Sequence, residues 1–339
     1  MNDARTAEDE PEEFRRQRAF LIETAPLLAE DFLRVARESR QARAEKDTAF
    51  AEDISHIWAR GWTVVDAVIN SMEQSAALMF PRAEIKDAHS DTREALLLLQ
   101  CSSTLTLREI RELLRAGYLA GAAARWRALH ETAVTAVVVA EGGAQIARRY
   151  LDHGIVTQFT RLEEFYRQPH PDAPSDEERA ERMALVADLI RAHTLVDESL
   201  GFAKPYGWAT PLMKRRRDGK YLEPTFTRLE ELARQSNMRL LVQHGAHGHV
   251  HGDAGAVRTS VLRDGVELLA GPRTDEIPAV AVPTLRSIAV IAGATHMGFE
   301  PELNEFGRLI CLTGAALTDL AMRGVDEFKS VHRTARLLF

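Results

Sequence analysis

A mainly α-helical bundle with a small β-hairpin excursion after residue 256 is the fold class this sequence predicts, and three observations predict it. Apolar residues recur three and four positions apart over most of the chain, which is the signature of helix faces. Glycine and proline breakers cluster between those periodic runs. Strand and helix patterns do not alternate, so nothing supplies a parallel sheet.

Residues 1–80 read as an N-terminal helical region and 81–339 as the bundle proper, with a flap near 202–224. In the first region Phe14, Phe20, Leu21, Leu27, Leu28, Phe32 and Val35 keep helical spacing, and Pro26 is expected in the first turn of a new helix. A further long helix carries Phe50, Ile54, Ile57, Val64, Val65, Val68 and Met72 and stops before Pro81. Ser90 is the expected N-cap of a helix over 91–115, whose Leu96, Leu97, Leu98, Leu99, Cys101, Leu105, Ile110 and Leu114 predict deep burial. The stretch 118–141 is small or apolar on every face and ends at Gly142-Gly143, which marks it as the central helix. Another helix follows over 144–167. Three prolines within 169–174 make a loop, and Ser175 with Glu178 forms a capping box that opens a helix to about residue 200.

The irregular 202–224 stretch holds a basic run at 214–217 and an aromatic turn, Tyr206-Gly207-Trp208-Ala209. Thr227 and Glu230 are expected to cap a short helix ending near 236. Two β-prone runs flank Asp264-Gly265, a hairpin turn pair. Two helices, over 277–297 and 302–333, close the chain.

Charge narrows the function. With 43 basic and 50 acidic residues the net charge is -7, so duplex DNA is not an expected partner. No apolar run approaches the roughly 20 residues of a spanning helix, and the acidic N-terminus has no signal-peptide core. A cytoplasmic protein without a membrane partner is expected. Cys101 and Cys311 are the two cysteines, too few for a disulfide framework or a four-thiolate zinc site, and both are expected in the core.

Two constellations carry candidate chemistry. Four of the twelve histidines fall within 244–251. On a helix, at ~100° per residue, His244, His247 and His251 share one face while His249 points elsewhere. Imidazole suits proton transfer near neutral pH, and the same three side chains are a possible ligand set for zinc or another divalent metal, completed by a carboxylate. Solvated or packed histidines are the third reading. The other constellation is on the central helix: Arg127 and Glu131 are four apart and should pair, with His130 beside them. The apolar run that follows predicts that this pair is at least partly buried. It is read either as a structural ion pair or as a catalytic or ligand-binding group.

The RALHE segment at 127–131, YGWA at 206–209 and VHG at 250–252 together resemble a bacterial all-helical family catalogued as a domain of unknown function. The likeness spans about residues 90–260. More loosely the chain is similar to HEPN domains, helical bundles that pair as dimers and in many cases cut RNA without a metal, using an Arg and a His four to six residues apart. Arg239 and His244 fit that spacing at the head of the histidine segment; Arg125 with His130, and Arg148 with His153, fit it too.

The resemblance implies a cytoplasmic, homo-oligomeric ribonuclease, or a related toxin or phage-defence effector, acting on single-stranded RNA with no cofactor. His244 or His251 would take the 2'-hydroxyl proton, and Arg239 or Arg127 would support the phosphorane charge. A metal-dependent hydrolase using His244, His247 and His251, and a non-catalytic interaction protein, are the alternatives.

Overall fold

A computed structural model describes residues 12–167, 170–171, 173–197, 201–238, 262–264, 267–269, 274, 276–300, 302 and 304–338. The chain is mainly α-helical and divides into two compact units, 1–53 and 54–339. The first unit holds α1, Glu12–Glu38, and most of α2, Arg40–Ile57. Helix α1 runs straight through Pro26 and buries none of its residues, so the proline does not begin a new helix there.

The second unit is the bundle. Its long helices are α3 (Ala59–Ala83), α4 (Ser90–Arg115), α5 (Leu119–Phe165), α6 (Asp176–His193), α7 (Phe226–Leu232), α8 (Ile277–Phe299) and α9 (Glu305–Leu338). Helix α3 packs on α4 and α9, which places residues 54–80 with the bundle rather than with the N-terminal region. It also continues through Pro81. Gly61 lets α9 come close, because a Cβ there would lie 2.7 Å from the Phe328 ring. Leu262–Asp264 and Glu267–Leu269 pair antiparallel, Leu262 opposite Leu269; this short pairing leaves the class mainly α.

Capping is legible only in part. Ser175 accepts from the Glu178 amide while Glu178 reaches back to the Ser175 amide, as expected. Ser90 instead sits inside α4 and donates to the Asp87 carbonyl, and Thr225, not Thr227, caps α7. The helices expected over 118–141 and 144–167 meet, as the paired glycines predict, so α5 is two helical arms in sequence, joined by a kink at Gly143, whose φ of 64° and ψ of -163° are not helical. That combination is essentially restricted to glycine.

Helix α8 departs from the expectation that no helix is apolar enough for a membrane. By length and composition alone it could cross one, but 61% of its most apolar window is buried inside the protein, against α4, α5 and α9. That is the environment of a core helix. Its His296 is fully buried. His296 Nδ1–H donates to the Ala292 carbonyl at 2.8 Å, and Nε2 accepts from Ser75 Oγ at 2.5 Å.

Burial pushes the His296 imidazole below its ordinary value, and burial does the same to His130 against an opposing pull from Glu230. As pH falls below the unfolded histidine value of about 6.5, the unfolded chain takes protons that the folded chain refuses. Stability is therefore full above that value and is lost on acidification, at about 1.4 kcal/mol per pH unit for each histidine. Urea midpoints measured from pH 7.5 down to 5.5 should fall, and His296→Gln should flatten the slope. An unchanged slope in that variant would show that His296 is not the group being titrated.

Candidate functional site

The site grows from the N-terminal half of α5. Three successive side-chain directions leave RALHE: Leu129 enters the core, His130 turns toward α7, and Arg127 and Glu131 share the outer face one turn apart. His130 is 1% exposed and its Nε2 lies 3.0 Å from Glu230 Oε1, itself 2% exposed. A carboxylate oxygen accepts, so Nε2–H donates. The ring is fixed on its other sides by Phe226, edge-on at 5.8 Å, and by Trp126, tilted at 6.1 Å. Trp126 in turn donates to Ser287 on α8 at 3.2 Å. This histidine is a fixed strut, and nothing reaches it from solvent.

Arg127 and Glu131 do pair as their spacing predicts, at 3.5 Å, but with side chains 25% and 37% exposed. The expected partial burial is met: the apolar residues that follow drive the next turns inward, and this turn lies at the rim, part buried and part exposed.

Tyr206 joins them from the aromatic turn. Its phenol is pushed up to about 12, first by burial and then by the negative charge of Glu131, with Arg127 opposing. It stays protonated, a hydrogen-bond donor, at any physiological pH. Its backbone is left-handed, with φ of 61°, a conformation that costs a bulky residue about 1 to 3 kcal/mol and persists only where the surroundings impose it.

Those surroundings are visible. Arg149 on α5 donates from Nε to the Trp208 carbonyl at 2.9 Å, from Nη2 to the Gly207 carbonyl at 3.2 Å and from Nη1 to the His193 carbonyl at 2.7 Å. Its guanidinium also lies over the Phe202 ring. Gly207 is required because a Cβ would run into the Phe202 carbonyl. Asp152, buried beside this clamp, accepts from Arg148 at 2.8 Å and from His193 at 2.7 Å. The start of the expected flap is thus anchored, with Phe202 and the run from Gly207 to Thr210 buried.

Sequence reasoning missed Glu230, Tyr206 as a site residue, Arg149 and Asp152. Spacing offered no signal for Glu230 or Arg149, whose partners lie far along the chain. Arg125 is occupied by Glu109, at 2.6 Å. His153 is engaged locally: its Nε2–H donates to the Lys204 carbonyl at 3.0 Å. Neither Arg125 with His130 nor Arg148 with His153 makes a joint site. Arg239, His244, His247 and His251 lie outside the described residues, and among the described residues no cluster of three or more potential metal ligands occurs. A separate cleft of about 540 Å³ between α3 and α9, lined by Leu78, Leu312, Leu317, Asp319 and Arg323, contains none of the predicted site residues.

No curated protein and no solved structure matches the chain significantly. One protein family does, the family of unknown function (DUF5677), over residues 93–266. The matched stretch takes in RALHE, the Tyr206 turn and Glu230, and it is just over half of the sequence. The chain belongs to this family of unknown function, DUF5677.

Proposed function

We propose that the protein is a HEPN-like, metal-independent ribonuclease acting on single-stranded RNA, in the class of toxins or phage-defence effectors. The observation that supports it best is the half-exposed Arg127–Glu131 pair standing over the buried His130–Glu230 hydrogen bond, with a protonated Tyr206 alongside. These groups match what 2'-hydroxyl attack on a phosphodiester needs. Glu131 accepts the hydroxyl proton, Arg127 supports the charge that develops on the phosphorane oxygens, and Tyr206 donates a hydrogen bond to one of them. His130 and Glu230 hold the turn that presents Arg127 and Glu131. His244 or His251 is the proposed acid for the departing 5'-oxygen, and Arg239 a second cation.

The test uses purified full-length protein with a short single-stranded RNA and the DNA of the same sequence, with and without EDTA. The reading expects RNA cleavage in EDTA and intact DNA, since the 2'-hydroxyl is the nucleophile. Cleavage that vanishes in EDTA and returns with zinc would favour the metal-dependent hydrolase. A folded protein that cuts neither, at any metal content, would favour the interaction-protein reading. That reading also draws on α1, where Phe14, Phe20, Leu27 and Phe32 are all well exposed.

A further inference from the structure

Helix α4 is enclosed by α3, α5 and α8 and shows solvent a single narrow stripe: Glu94, Leu98, Cys101, Ser102, Leu105, Arg108 and Glu112. Apart from Ser102, these residues fall within about 80° of one another around the helix. Three of them contradict the expectation of burial, since Leu98 is 54% exposed, Leu105 59%, and Cys101 is exposed as well. Two leucines at the middle of a helix flanked by three others, open to water, are an unusual exposure of apolar surface.

The middle of the stripe, from Glu94 to Arg108, reads acid, Leu, Cys, Leu, base, and Glu112 lies one turn beyond it. That middle is close to its own reverse with the charges exchanged. A two-fold axis perpendicular to α4 at Cys101 sets Leu98 opposite Leu105 of a second copy, Cys101 opposite Cys101, and Glu94 opposite Arg108. An isologous contact requires this kind of self-complementarity.

The flanks allow the approach. Arg108 is ion-paired to Glu73 on α3, and on that face of α3 the next positions are Ala77 and Phe80, one and two turns on. Phe80 is 57% exposed and adds a fourth apolar side chain. On α5, Arg125 is tied to Glu109 of α4, which brings the small, half-buried Ala128 and Thr132 level with Ser102 and Leu105.

We propose that a second copy of this chain docks here, α4 antiparallel to α4 about a two-fold axis at Cys101, as a homodimer. The surface is built on α4, with Ala128 and Thr132 of α5 at its edge, and uses neither Arg127 nor Glu131, so the dimer does not rest on the ribonuclease reading.

The test begins with the mass of full-length protein in solution by light scattering, in a Cys311→Ser background. Dimer is expected, and Leu98→Glu/Leu105→Glu should give a monomer with an unchanged circular dichroism spectrum. Glu94→Arg alone should weaken the dimer at least about tenfold, and Glu94→Arg/Arg108→Glu should recover most of that loss. A short bis-maleimide should join two chains through Cys101, and Cys101→Ser should prevent it. A monomer at tens of micromolar would overturn the proposal. So would a dimer that keeps its mass in the double leucine variant and fails to cross-link through Cys101, because that dimer uses another face. If the leucine variant loses its helical signal, the charge exchange and the cross-link, which leave the apolar surface intact, decide the matter.

Discussion

Arg93→Ala is expected to lower the free energy of unfolding by about 3 to 5 kcal/mol, the usual cost of stripping one partner from a buried ion pair. Arg93 is fully buried. Its Nη1 bonds both oxygens of Asp87 at 2.8 Å, and Nη2 approaches Glu300 at 3.4 Å. Glu300 is itself buried and has Arg82 as its other cation, 2.7 Å away. Removing Arg93 leaves a buried carboxylate sharing one half-exposed guanidinium, and it opens a cavity where α4 meets the end of α8. Urea denaturation followed by circular dichroism measures the loss. A change below about 1 kcal/mol, the range of surface pairs, would show that the cluster is solvated.

The second large effect follows from the proposed ribonuclease reading. Arg127→Ala and Glu131→Gln should each reduce RNA cleavage by about 10²- to 10³-fold, the range found when a charge-stabilising donor or a general base is removed. Neither should cost more than about 1 kcal/mol of stability, since both side chains are partly exposed. Single-turnover kinetics on the RNA, paired with urea midpoints, separates the two quantities. His130→Ala is predicted to behave differently: it should destabilise the fold because it removes a fully buried ring packed on Trp126 and Phe226 together with its hydrogen bond to Glu230. If Arg127→Ala proved as destabilising as His130→Ala while cleaving RNA normally, the pair would be structural.

Much of the helical layout was readable in advance, because helix periodicity is a local property. The capping box at Ser175, the break at Gly143 and the pairing of Arg127 with Glu131 depend on residues within a turn of one another. Proline misled twice. Pro26 and Pro81 each remove one hydrogen bond, but the helix resumes beyond them, so a breaker was read as a boundary. On α4 the charged residues Glu94, Arg108 and Glu112 mark one face, and Leu98, Cys101 and Leu105 fall on that same face; their exposure was legible in the spacing, and reading apolar side chains as buried hid it. Glu230 and Arg149 were invisible for another reason. Their partners lie 100 and 58 or 59 positions away, and a pairing of that range leaves no mark in local spacing.

The interruption at Gly143 gives α5 the form of a jointed rod. One arm carries Arg127 and Glu131. The other carries Arg149, which grips the turn that holds Tyr206. The gap between the tyrosine and the ion pair is therefore set at a distance, as the jaws of a caliper are set by its pivot, by one pair of torsion angles that only glycine tolerates. A residue that touches neither jaw governs their opening.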